Sequence, residues 1–340
     1  MRLRVLLTSL RSPKRWLLSV LLLFSHHLRA ETLLEFSEPC MGTLFRIQVY
    51  ASDREIISPV IEQAWEQAHE LDLIFSDYIP ESELNIFCRN SNGSELPTSL
   101  PFRTVLETGV MLHAETKGLF DISLGSLQRL WRLSRRDGRL PDQDTLKQAR
   151  QRIGMERLKI GTLGVSLDAG TRLDLGGIAK GYTADVLLKF LKSKGYPCAI
   201  VAASGDLAIG DAPPGKDGWT LGIGSVLSPE KPDLTLSLKN CGISTSGDTR
   251  QFIVVDEQNY SHLLDPSTGL GLTRRQSATV VARNCLTSDA LATALCLFEA
   301  GDTLPSWPSI LSARVISLGQ KNTQAREYRV GPHFKNIEPH

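Results

Sequence analysis

The chain has 340 residues, 38 Lys+Arg against 37 Asp+Glu, with 41% hydrophobic and 22% charged residues. That composition excludes a disordered polymer and supplies apolar material for one large core or two modest ones. A formal net charge of +1 excludes the broad basic field typical of nucleic-acid binders, so function has to be sought in local sites.

The chain opens with Arg2, Arg4, Arg11, Lys14 and Arg15, followed by an apolar run from Trp16 to Phe24 and then Ala30 and Glu31. A basic segment, a short apolar core and a small residue form the layout of an export signal. The apolar run is much shorter than the roughly 20 residues that cross a bilayer. Residues 1–30 are therefore expected to be a leader cut near Ala30, and residues 31–340 the mature domain. Leu28, three residues from that point, is an imperfect cleavage residue and keeps an uncleaved anchor open. The six cysteines are singly spaced with no C-x-x-C pair, which favours separate thiols over a metal or exchange site and leaves disulfides open.

Leu44–Tyr50 alternates like a strand, and 55–73 carries apolar residues at helical spacing. Leu173–Leu175 reads as the end of a short strand before glycines, 184–194 as a helix, and 199–203, 219–223 and 235–238 as further strands. Ser288–Phe298 reads as a buried helix capped by Thr287 or Ser288. No linker, charge run or repeat interrupts the order. Long hairpin-like stretches mixed with helices predict an α+β fold rather than a repeating βαβ one.

Three segments carry chemistry. In Asp174-Leu-Gly-Gly-Ile-Ala-Lys-Gly-Tyr-Thr-Ala-Asp185, glycines precede a helix and Lys180 stands in its approach. Such a bend is either a solvated turn or a cradle in which backbone N–H groups and a lysine meet a phosphate. It matches neither the Walker pattern nor the dinucleotide G-x-G-x-x-G. Asp289 and Thr293 stand four apart, on one helix face, and suit a hard divalent cation such as Mg2+. Alternatively, Asp289 favours a first helical turn and Thr293 bonds back to its own backbone. In Tyr260-Ser-His-Leu-Leu-Asp-Pro-Ser-Thr-Gly269, a turn follows His262, which is a general-base candidate or a structural histidine. The small-residue loops Ser204-Gly-Asp206 and Gly242-Ile-Ser-Thr-Ser-Gly-Asp248 are either walls of a polar pocket or tight turns.

These segments occur in one order with Cys40-Met-Gly-Thr43, Phe75-Ser-Asp-Tyr78 plus Ser82-Glu-Leu84, and Gly118-Leu-Phe-Asp121 with Leu127 and Trp131. Together they closely resemble the ApbE family of FAD:protein FMN transferases over roughly residues 35 to 315. The resemblance implies a single T-fold-like α+β domain with mixed or antiparallel sheets and packed helices. It implies transfer of FMN from FAD, with Mg2+, to a threonine of a partner flavoprotein, with release of AMP.

By the same resemblance, Met41, Tyr78, Leu119, Phe120, Asp121, Asp174, Lys180 and Leu264 line the FAD site. Asp289 and Thr293, with the Gly177 carbonyl, hold the metal. His262 is the candidate base and Asp289 the second catalytic residue. The acceptor is a soluble or membrane redox protein, and the leader implies a periplasmic location, either free or at the inner membrane. Three positions depart from the family's usual pattern: Cys88 for Asn, Ser204 for the first glycine of Gly-Gly-Asp, and Ser126 for proline. Alternative readings are an FAD pyrophosphatase giving FMN and AMP, or an FAD-holding protein without turnover.

Overall fold

Alternation of inward and outward side chains shapes the first hairpin, β1 (Thr32–Cys40) and β2 (Thr43–Ala51), in which Phe45, Ile47, Val49 and Ala51 point into the core. Cys40 pairs with Thr43 across a two-residue turn, and Met41 and Gly42 both take positive φ, 51° and 69°. That is the turn whose twist matches the strands it joins. The structure is a computed structural model and describes residues 30–228, 231–247, 252–299, 303–319 and 325–335. The expected leader therefore lies outside the described residues, apart from Ala30.

Helix α1 (Arg54–Phe75) buries Ile57, Ile61, Ala64, Ala68, Leu71 and Phe75, one stripe at three- and four-residue steps, and Asp53 caps its start. Helices α2 (Glu83–Asn90), α3 (Leu100–Glu115), α4 (Gly125–Asp137) and α5 (Gln143–Arg150) follow, then the short hairpin β3 (Leu158–Ile160) and β4 (Val165–Leu167). Next come α6 (Ala179–Ser193), β5 (Ala199–Ala203) and β6 (Asp206–Ile209), and the hairpin β7 (Trp219–Ile223) and β8 (Leu234–Leu238). The chain continues through β9 (Cys241–Gly247), the hairpin β10 (Phe252–Val255) and β11 (Gln258–Ser261), β12 (Arg275–Ala282), α7 (Cys285–Leu297), β13 (Ile310–Leu318) and β14 (Ala325–Val330). Eight strands make one antiparallel sheet in the order β1-β2-β5-β6-β9-β12-β13-β14. The expected α+β class is what forms.

Two large clusters form most of the core, with three smaller ones beside them. One joins α1 and α6 to β2 and β5, and the other joins α2, α3 and α7 to β12 and β13. Every residue of α7 except Thr293 is buried, in keeping with the buried helix expected there. All six cysteines are separate thiols; burial pushes Cys40 up to about 12 and Cys241 up to about 11, so both stay protonated and unreactive at neutral pH.

Three local expectations are corrected. Leu173–Leu175 is irregular and joins no sheet; Asp174 donates its N–H to the Ile122 carbonyl at 2.8 Å instead of to a strand partner. Helix α6 begins at Ala179 rather than 184, which brings Lys180 and Gly181 into its first turn. Helix α7 begins at Cys285, capped by Asn284, whose side chain accepts the Thr287 N–H at 2.9 Å. Asp289 consequently sits in the second turn and not at the N-terminus, which removes the helix-dipole explanation for it.

Candidate active site

The site is built on the contact between α6 and α7. Gly181 permits it: a Cβ there would lie 2.4 Å from the Cys285 carbonyl oxygen and 2.9 Å from the Asp289 Cβ. Each helix then caps the other. The Asp185 carboxylate on α6 accepts the N–H groups of Cys285 and Leu286 at 2.9 and 2.8 Å, at the start of α7. The Asp289 Oδ2 on α7 accepts the Gly181 N–H at 3.1 Å, at the start of α6, where Ile178 offers no capping side chain.

Lys180 extends from that first turn into a pair of carboxylates. Its ammonium is 3.1 Å from Asp206 Oδ2, 3.4 Å from Asp289 Oδ2 and 3.0 Å from the Gly176 carbonyl. Burial alone would lower the lysine's pKa, but Asp206 and Asp289 outweigh it and hold the ammonium protonated well above its usual range. Burial pushes the Asp289 carboxyl up to about 7, helped by the Asp206 charge and opposed by Lys180 and the Gly181 N–H. Asp206 stands at the first position of β6, and Gly205 brings the turn before it close to the Thr245 carbonyl.

Opposite α7, the glycine bend places Gly177 against Thr293, so close that a Cβ on it would be 3.4 Å from the Thr293 Oγ1. The Thr293 hydroxyl also lies 3.4 Å from that of Ser246 on β9. The Asp289 carboxylate, the Thr293 hydroxyl and the glycine bend line the same cavity. Among the described residues no group of three His, Cys, Asp or Glu side chains stands at metal-binding spacing, so any ion here would be held partly by backbone and by its ligand.

All twelve sequence-derived site residues line one cavity of about 1330 Å³: Met41, Tyr78, Leu119, Phe120, Asp121, Asp174, Gly177, Lys180, His262, Leu264, Asp289 and Thr293. The volume exceeds the roughly 300–1,000 Å³ usual for a small-ligand site. Met41 enters from the first hairpin turn, its N–H 3.4 Å from the Asp72 Oδ2. Asp121 folds back on the Ser123 N–H at 2.7 Å, and Asp174 on the Gly176 N–H at 2.7 Å. Burial first, then the Asp77 charge, raises the Asp174 carboxyl above its ordinary range. His262 follows β11 in a loop closed by the Leu264–Gly271 bridge and by the turn at Asp265, where the Gly269 N–H reaches the Asp265 carbonyl at 2.7 Å. Asp248 of the small-residue loop lies outside the described residues.

Sequence reasoning did not single out Arg132. From α4 its guanidinium lies 4.3 Å from the centre of the Tyr78 ring, pairs with Asp77 and reaches Asp174 at 3.9 Å. Tyr78 itself is 74% exposed, so the cation is what holds this ring at the cavity wall. The partners come from two separate loops, and no local pattern announces them. Asp185 and Gly181 were legible only as parts of the glycine-lysine segment.

The model of the ApbE family matches residues 41–307. The chain belongs to the ApbE family. Of its ApbE relatives, an FAD:protein FMN transferase of Vibrio cholerae is 30% identical over 302 residues, 83% of this chain and 87% of that protein. One from Treponema pallidum is 28% identical over 278 residues, 76% of each. The flavin transferase ApbE of Vibrio cholerae, solved as a histidine-to-glycine mutant, superposes with a TM-score of 0.77 at 25% identity, over 89% of this chain and 99% of that one. The apo flavinyl transferase ApbE of Pseudomonas stutzeri shares the fold, with a TM-score of 0.74 at 24% identity over 88% and 96% of the two chains.

Proposed function

We propose that this chain is a Mg2+-dependent FAD:protein FMN transferase, moving FMN to a threonine of a partner flavoprotein and releasing AMP. The observation that carries the metal is a charge imbalance. Six aspartates line the cavity against four Lys and Arg side chains, a formal excess of two negative charges. A dinucleotide diphosphate is itself anionic, so such a wall repels it unless a cation intervenes. The expected donors suit Mg2+: the Asp289 carboxylate, the Thr293 hydroxyl and the Gly177 carbonyl are hard oxygen ligands too few for a closed cage, which would leave positions for phosphate oxygens and water. What the bound ion supplies is neutralisation of charge on the diphosphate as AMP departs.

The chain's own groups do the rest. Lys180 sets a permanent positive charge beside the glycine bend, where it meets the diphosphate. Tyr78, braced by Arg132, provides a face for the flavin. His262 accepts the proton of the acceptor hydroxyl as that oxygen bonds to the FMN phosphorus and the phosphorus–oxygen bond to AMP breaks. Positioning supplies much of the acceleration in such a displacement. The leader-like segment supports action outside the cytoplasm, on a periplasmic acceptor. The width of the cavity gives water a route, which favours hydrolysis to FMN and AMP as the side reaction when no acceptor is docked.

The test is incubation of the mature chain with FAD, Mg2+ and an acceptor domain carrying an Asp-x-x-Ser/Thr-x-Thr target. Denaturant-resistant flavin on the acceptor and stoichiometric AMP are expected. Asp289→Ala lowers both at least about a hundredfold, the scale for losing a preorganised charge stabiliser. Full transfer by that variant overturns the metal assignment. AMP and free FMN with no labelled acceptor identify a pyrophosphatase, and FAD binding with no AMP identifies a carrier.

A further inference from the structure

Metal and lysine have a claim on the same carboxylate. Asp289 Oδ2, an expected metal ligand, is 3.4 Å from the Lys180 ammonium, and Asp206 Oδ2 is nearer, at 3.1 Å. Both carboxylates are buried, with side chains 3% and 7% exposed, and Lys180 is the cation they share. Two buried like charges this close favour a compensating cation. Metal-free protein obtains it from Lys180. When a divalent ion arrives at Asp289, the ammonium has to give up that contact, because two cations on one carboxylate repel. Asp206 is the group positioned to keep it. It lies on β6, across from α7, and shares no residue with the expected metal ligands.

We propose that Lys180 is a built-in occupant of the metal site that competes with the divalent cation for Asp289, and that Asp206 is a positioning residue that draws the ammonium aside so that the ion can bind. The inference rests on the metal reading of the previous section and deepens it by assigning Asp206 a role. It involves no bond making or breaking: one ion-pair contact is exchanged for another. It also gives Lys180 two stations, one between the carboxylates without metal and one on Asp206 with it.

The experiment measures Mn2+ binding to the full mature chain, without FAD, by the loss of the free-ion electron paramagnetic resonance signal, in the wild type, Lys180→Met, Asp206→Asn and the double variant. Removing the competitor tightens Mn2+ binding by about tenfold, the size of one charge-assisted hydrogen bond. Asp206→Asn weakens it by a similar factor, because the lysine then has only Asp289 to hold. In the double variant that weakening largely disappears, since Asp206 acts through the lysine.

Lys180→Met binding Mn2+ no more tightly than wild type overturns the competition. An Asp206→Asn effect of equal size with and without Lys180 overturns the positioning role and makes Asp206 a direct contributor to ion binding. Wild type that binds no Mn2+ overturns the metal reading and this inference with it, whereas tight wild-type binding with unmoved variants overturns the inference alone. Lys180→Met leaves two buried carboxylates unpaired and lowers the melting temperature. Mn2+ then restores more of it than it adds to wild type, and equal Mn2+ shifts in both proteins count against the competition.

Discussion

At the scale of single residues, the departures from the family pattern acquire physical meaning. Ser204 takes φ = 61°, the left-handed conformation that a glycine enters freely and an L-residue enters at a cost of about 1 kcal/mol. The two-residue turn it forms with Gly205 joins Ala203 to Asp206, so the strain sits next to the carboxylate that pairs with Lys180. Ser204→Gly is expected to stabilise the protein by up to about 0.5 kcal/mol, relief of backbone strain offset in large part by greater freedom of the unfolded chain. Urea unfolding with a raised midpoint and an unchanged m-value is the signature. A lowered midpoint would mean that the serine hydroxyl holds the turn. Cys88 accepts the Leu173 N–H at 3.5 Å and so steadies the irregular stretch before Asp174 with a weak acceptor. Ser126 falls in the first turn of α4, the position where proline is also tolerated.

At the scale of elements, the reciprocal capping of α6 and α7 explains both what was readable and what was not. Helical and alternating periodicities exposed α1, β2, β5, β7, β8 and the body of α7, because each hides one face or is hidden altogether. The starts of α6 and α7 were misplaced because part of their capping comes from the other helix, about a hundred residues away in sequence. The ordered motifs named the cavity wall, whereas Arg132 escaped because its charge partners Asp77 and Asp174 lie on distant loops.

The same capping makes a pH prediction. Burial pushes the Asp185 carboxyl up to about 6 from the 3.8 of an exposed aspartate, against the pull of the Leu286 and Cys285 N–H groups. A folded-state value above the unfolded one means that the folded state binds the proton more tightly. This group's contribution is therefore complete below about pH 4 and is lost as pH rises through about 6. Asp185→Asn removes that titration, so the stability difference, wild type minus variant, falls across this window and is flat above it. Parallel denaturation curves of the two proteins at every pH would show that Asp185 does not titrate in this way.

At the scale of the whole molecule, the cavity wall is gathered from the first hairpin turn, the loop after α1, the glycine bend, β6, the loop after β11 and α7. A ligand bridging these segments stabilises the folded chain by mass action, about 2.7 kcal/mol at a hundred times its Kd. The excess of acidic side chains makes that gain conditional. On the proposed reading, FAD alone would add an anion to an acidic wall, and Mg2+ alone would find only three protein donors and would have to displace Lys180 from Asp289. Bound together, each would supply what the other lacks: phosphate oxygens as further ligands for the ion, and positive charge to offset the wall. The shift in Tm with FAD and Mg2+ together should therefore exceed the sum of the two separate shifts, by several degrees for a domain of this size. The excess should vanish in Asp289→Ala, which still has Tyr78, Arg132 and Lys180 to hold the dinucleotide. Additive shifts in the wild type would separate the metal from the dinucleotide and leave the acidic wall without the role assigned to it.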